Sequence, residues 1–232
     1  MNVIQDALRV VRTPINKEGN KFIAIAGGVS LVCFFINGYL GIFTSLIALW
    51  VMYFFRDPIR VTPQKEGLII SPADGIIQKI EAVVPPEDLG MEAKPLTRIS
   101  IFMNVFNVHV NRIPIAGEIK ALHYYKGIFA STLDKESDKN EKQAIRIDAL
   151  GRSFAVVQIA GLIARRIVCD LKKDQQVKTG ERLGMIRFGS RLDVYIPQDI
   201  NPLVVVGQIA IAGETILADV NGTAEQPEGI AS

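Results

Sequence analysis

The longest pattern in the chain is an apolar run from Phe22 to Phe55, 34 residues without a charge and rich in Ile, Leu, Val, Phe and Gly. As one helix it would reach about 51 Å at ~1.5 Å per residue, well beyond the ~30 Å hydrocarbon core of a bilayer. Asn37, Gly38 and Gly41 lie near its middle and mark a turn. The run therefore predicts two apolar helices of roughly 15 residues each, folded as a tight membrane hairpin. Arg9, Arg12, Lys17 and Lys21 precede it, and Arg56 and Arg60 follow it. Cations at both ends place both ends, and the bulk of the chain, on the cytoplasmic side of the inner membrane. A cleaved signal peptide does not fit a run this long that begins after about twenty mostly polar residues. A hairpin buried in a soluble core is the competing reading, and the unbroken absence of charge weighs against it.

From Asp57 the pattern changes, with Pro58, Pro63 and Pro72 punctuating short β-branched runs. Runs beginning at Gly67, Gly75, Arg98, Phe154 and Leu192 have strand length and are bounded by Gly, Pro, Asp or Asn. They predict a mainly β fold: a compact, barrel- or sandwich-like domain of short strands and hairpins over 57–232, behind an N-terminal helical hairpin over 1–56. Two stretches, from Val177 and from Val206, echo each other as valine, glycine and a Gly-Glu or Gly-Gln step into a strand. The echo is too imperfect to be a repeat. Asp134–Lys142, nine polar residues in succession, predicts an exposed loop, and the tail from Thr223 to Ser232 predicts a frayed end.

A formal net charge of +2 argues against a general nucleic-acid-binding field. Cys33 and Cys169 do not make a disulfide framework, which fits a reducing compartment. Two histidines and two separated cysteines are poor material for a metal site, and no metal is expected. Phosphate-cradling glycine loops and hydrolase nucleophile elbows are missing as well.

Three polar residues stand out against the apolar strands: Asp74 in Ser71-Pro-Ala-Asp-Gly, His109 in Asn107-Val-His-Val-Asn-Arg, and Ser190 in Arg187-Phe-Gly-Ser-Arg. Each has an ordinary explanation. Asp74-Gly75 is common turn chemistry, His109 between two valines reads equally as a satisfied structural histidine, and Gly-Ser is a frequent dipeptide. His123, beside Tyr124 and Tyr125, has no distinguishing context. Together Ser190, His109 and Asp74 are the groups needed to activate a hydroxyl.

In order and spacing, five stretches resemble the short, archaeal-like bacterial form of the phosphatidylserine decarboxylase family. They are Phe54-Phe-Arg-Asp-Pro, Ser71-Pro-Ala-Asp-Gly, His109-Val-Asn-Arg-Ile-Pro, Tyr125-Lys-Gly through Asn140-Glu141, and Phe188-Gly-Ser-Arg-Leu-Asp-Val. The resemblance implies a proenzyme that cuts itself between Gly189 and Ser190, leaving a pyruvoyl cofactor made from Ser190. It also implies His109, oriented by Asp74, as the base. The substrate would be a phospholipid in the membrane, phosphatidylserine, decarboxylated to phosphatidylethanolamine. The two fragments would stay together, with a homo-oligomer possible and no nucleic acid as partner. Arg112 and Lys126, each inside a matched motif, are candidates for the lipid phosphate or carboxylate, with plain surface charge an equal alternative.

Long bacterial members carry a second histidine three residues before the base, where this chain has Phe106. The proton donor after decarboxylation is then His109 itself or a water. Phe188 and Arg191 replace the leucine and threonine of the long forms, which matches the short branch. One rival is a noncatalytic membrane-anchored adaptor of biotinyl or lipoyl type, although no lysine sits in an obvious carrier turn. The other is a decarboxylase for an archaeal-type serine ether lipid.

Overall fold

The computed structural model describes residues 13–127, 140–161, 166–187, 190–222 and 227. The chain divides into two compact units, one ending at Ile59 and the other beginning at Arg60.

The first unit is built on two helices, α1 (Asn20–Ile36) and α2 (Gly38–Phe54), of 17 residues each. Asn37 separates them because its backbone is extended (φ −159°, ψ 127°) while its side chain accepts from the N–H groups of Tyr39 and Leu40, capping α2. With the 3₁₀ turn before α1, Lys17–Ile36 is long and apolar enough to cross a membrane, and α2 is shorter. The pair is inside-out by the standards of a water-soluble hairpin. Small residues are buried at the contact: Ser30 Oγ is 2.6 Å from Ser45 Oγ, and a Cβ on Gly41 would fall 2.4 Å from Phe34 Cγ. The large side chains face out, with Phe35 84% and Tyr39 86% exposed. Small residues at the contact let the two helix backbones approach closely.

The second unit is antiparallel β throughout. Its strands are β1 (Leu68–Ile70), β2 (Gly75–Val83), β3 (Leu96–Met103), β4 (Val110–Arg112), β5 (Gly117–Tyr125), β6 (Lys142–Ala149) and β7 (Arg152–Ala160). They continue as β8 (Ile167–Cys169), β9 (Gln176–Val177), β10 (Arg182–Ile186), β11 (Ser190–Ile196), β12 (Ile209–Ala210) and β13 (Ile216–Asp219). A curled eight-stranded sheet runs β12-β2-β3-β11-β7-β6-β5-β9, joined by a three-stranded sheet β4-β10-β8 and the pair β1-β13. Alternation along the central strands puts Met103, Ile101, Leu192, Val194, Val156 and Ile145 on the inner face, in the main core. The opposite face carries a second apolar cluster around Leu89, Ala155, Val157 and Tyr195. Burying one such aliphatic side chain stabilises by roughly 1.5–3 kcal/mol, so a sheet covered on both faces reads as near-continuous apolar runs. Phe154–Ala160 of β7 shows this, whereas β11, buried throughout, carries Arg191 and Asp193, which are paired with each other.

The polar stretch Asp134–Lys142 requires correction. Residues 134–139 lie outside the described residues, but Asn140 and Glu141 are buried and Lys142 opens β6. Asn140 donates from Nδ2 to the Ala160 carbonyl at 2.8 Å, and the Glu141 carbonyl accepts from Ala160 N at 2.9 Å. Composition marks this segment as loop because the partner that satisfies its polar groups is the end of β7, remote in sequence. The tail expected to fray also lies outside the described residues, apart from position 227.

Candidate active site

Ser190 is the first residue of β11, with β3 on one side and β7 on the other, paired in register with Met103 and Ala160. Its side chain is fully buried, and Oγ donates to Met103 Sδ at 3.8 Å. Phe188 and Gly189 lie outside the described residues. The segment before them leaves β10, where Ile186 N donates to the carbonyl of His109 at 3.3 Å. β4 pairs with β10 immediately after that histidine. β10 thus runs beside the strand that follows His109.

His109 is buried, and its Nδ1 lies 3.0 Å from the carbonyl oxygen of Asn107. A carbonyl only accepts, so this contact puts a proton on Nδ1, and in the neutral ring the lone pair a base needs would then be on Nε2. The preceding turn is fixed by its own asparagines: Asn107 Oδ1 accepts from Asn104 N at 2.9 Å and Asn104 Oδ1 from Phe106 N at 2.8 Å.

Asp74 lies in the turn between β1 and β2. Arg112 N donates to Pro72 O at 2.9 Å, which brings this turn against β4. Arg60 Nη2 is shared between both carboxylate oxygens of Asp74, at 2.9 Å and 2.7 Å, and Ala212 N donates to Oδ1 at 2.8 Å. Oδ1 therefore holds two donors and Oδ2 one, which leaves acceptor capacity on Oδ2. Arg60 starts a short strap: Val61 N donates to Glu214 Oε1 at 3.2 Å, and Thr62 packs over Gly180. Gly180 and Gly213, at φ +82° and +79°, are needed here, since a Cβ on Gly180 would fall 2.3 Å from Thr62 Oγ1 and one on Gly213 2.8 Å from Arg112 Cδ.

The two basic candidates differ. Arg112 is buried and gives Nη1 to the Gly180 carbonyl at 2.9 Å, whereas Lys126 is exposed just beyond β5. Near Lys126, the Tyr124 hydroxyl is held protonated above its ordinary range by desolvation and then by its hydrogen bond to Glu141.

Asn111 and Gln158 are buried polar residues missed by the sequence reading. Asn111 Nδ2 donates to the same Met103 sulfur at 3.7 Å, and Gln158 Nε2 donates to Asn111 Oδ1 at 2.9 Å. Gln158 was visible as the lone polar residue in the apolar run of β7, and Asn111 as part of the histidine motif. In the sequence, Arg60 stands out only as a cation flanking the apolar run. The Ser190 hydroxyl, fully buried against the Met103 thioether, fits the serine from which a pyruvoyl group would be made.

The sequence profile described as phosphatidylserine decarboxylase matches residues 47–218. The chain is 53% identical over 228 residues to the phosphatidylserine decarboxylase proenzyme of Cereibacter sphaeroides, covering 97% of this chain and 98% of that one. It is 55% identical to the proenzyme of the same description from Ruegeria pomeroyi, covering 89% and 95%. With that of Paramagnetospirillum magneticum identity is 50%, covering 93% and 91%. Matches of this extent and identity show that the chain belongs to the phosphatidylserine decarboxylase family.

Proposed function

We propose that this chain is a proenzyme that cleaves itself between Gly189 and Ser190 and then decarboxylates phosphatidylserine to phosphatidylethanolamine. The observation that carries the reading is the fully buried Ser190 hydroxyl at the start of β11, which shares the Met103 sulfur with Asn111, two residues after His109, in a chain 53% identical to a proenzyme of that description.

In the cleavage, His109 Nε2 takes the Oγ proton as Ser190 attacks the Gly189 carbonyl carbon. The carbon–nitrogen bond breaks, the nitrogen takes a proton, and the amide becomes an ester. Loss of the Ser190 α-proton then breaks the Cβ–O bond and expels the residue 189 carboxylate. The dehydroalanine left at position 190 keeps all three of its carbons; water adds at Cα, ammonia leaves, and a pyruvoyl end group is formed. That group supplies an electrophilic carbonyl able to hold a substrate amine and take up the electron pair released with carbon dioxide. In this reading His109 stays beside the carbonyl to move protons, and the apolar wall of Met103 and Leu192 excludes water. Asp74, fixed by Arg60 and Ala212, supplies a charged acceptor at the edge of the site.

The architecture supports fragments that remain joined. β11 begins at the cut and lies between β3 and β7, while β12 and β13 pair with β2 and β1, so among the described residues each strand of the short fragment is paired to the long one. The outward-facing helices support a hairpin lodged in the bilayer. The cations flanking it support a cytoplasmic position for both ends. Carbon dioxide release from vesicles of phosphatidylserine, with an ether-linked serine lipid in parallel, tests the activity. The native chain is expected to turn over the former, with H109A slower by roughly 10²–10⁴-fold. No release from either lipid by a fully cleaved chain would defeat the reading.

A further inference from the structure

We propose that Asn111 and Gln158 are positioning residues for Ser190, acting through the Met103 thioether. The proposal rests on Ser190 being the cleavage nucleophile.

Asn111 and Gln158 are both fully buried beside an inner face of Met103, Ile101, Leu192 and Val194. Hydrogen bonds link them in a line: Gln158 Nε2 to Asn111 Oδ1 at 2.9 Å, Asn111 Nδ2 to Met103 Sδ at 3.7 Å, and Ser190 Oγ to the same sulfur at 3.8 Å. Gln158 Oε1 has no hydrogen-bond partner among the described residues. As a contribution to stability this is a poor arrangement. A thioether is a weak acceptor, an unsatisfied buried amide oxygen is costly, and apolar side chains of the same shape would serve the core as well or better. The arrangement makes sense as a positioning device. Gln158 fixes the plane of the Asn111 amide, Asn111 fixes the Met103 sulfur, and the sulfur orients the Ser190 O–H. Because the acceptor is weak, the proton is directed without being held tightly, and it leaves when a base takes it.

The test compares self-cleavage of the freshly translated full chain with that of Gln158→Leu and of Gln158→Met, which keeps the length without the amide. Thermal midpoints are read in the Ser190→Ala background, where every chain is expected to stay intact. The proposal expects both variants to cleave at least roughly 10-fold more slowly, the scale set by a misplaced reacting atom. It also expects midpoints equal to or above that of Ser190→Ala alone. Hydroxylamine, which cuts an ester once formed, should not restore cleavage, because the defect precedes the ester. Native cleavage rates, a slowing matched by a fall in midpoint, or full rescue by hydroxylamine would each overturn the proposal. A Ser190→Ala chain that still splits would instead defeat the self-cleavage reading, and the proposal with it, with no change at Gln158 required.

Discussion

Arg60 Nη2 is shared between the two oxygens of the Asp74 carboxylate, at 2.9 Å and 2.7 Å, with both side chains 14% exposed. Breaking one partner of a largely buried pair strands the other charge, at about 3–5 kcal/mol when burial is complete and less here. R60A is therefore expected to lower stability by about 2–3 kcal/mol and to slow self-cleavage. R60K should recover much of both, since a single nitrogen makes both contacts. Denaturant unfolding and a cleavage time course check this, and an R60A chain that matches the native one in both would remove Arg60 and Asp74 from the account.

Arg112 and Lys126 should separate under substitution. Arg112 supports the Gly180 carbonyl from inside the domain, so R112A is expected to unfold at lower denaturant by about 1–3 kcal/mol. K126A, at an exposed position, should leave stability within about 0.5 kcal/mol of native. If Lys126 holds the head group, K126A raises KM several-fold with kcat unchanged. An unaltered KM assigns it to ordinary surface charge.

Four of the eight strands of the curled sheet, β2, β3, β7 and β11, are legible as β-branched runs bounded by turn residues. β4, β8 and β9 are not, since strands of two or three residues are defined by their partners and leave no period of their own, and the longer β5 and β6, where Glu118, Lys120, Arg146 and Asp148 interrupt the apolar residues, are not singled out either. The helical break at Asn37 was legible because its cap is local. At the site, Ser190, His109 and Asp74 were singled out as polar residues among apolar ones. Arg60 was not seen as the partner of Asp74, because its role depends on a strap laid over Gly180 and Gly213. The buried Asn140 and Glu141 were hidden by the charged run around them.

The exposed Phe35 on α1 provides a test of the membrane reading. F35K puts a cation on the exposed face of α1, which would cost about 2.5–3.5 kcal/mol at mid-bilayer and less near an interface if that face meets lipid. Flotation with phospholipid vesicles should show weaker association for F35K and native thermal stability for the β unit. Unchanged flotation would place this face outside the hydrocarbon.

Stability should fall in acid through identifiable carboxylates. Glu81 is held below the ordinary range by its hydrogen bond to Arg98, against a smaller opposing effect of burial. Asp219 is held low by its hydrogen bond to Lys65 and then by Asn221 N–H. A folded pKa below the unfolded one means that the unfolded chain binds protons first. The contribution is complete above the ordinary values of 4.5 and 3.8 and is lost as pH falls through the lower folded ones. The thermal midpoint is expected to drop below about pH 4, and the combination of E81Q with D219N should reduce that drop. An undiminished acid slope in the double variant would assign it to other carboxylates.

The most direct measurement is the intact mass of freshly purified native chain beside S190A. The account predicts a 1–189 fragment and a 190–232 fragment carrying a pyruvoyl terminus in the first, and a single uncut chain in the second. One uncut native chain under conditions that keep it folded, or a 190–232 fragment that begins with serine, would contradict it.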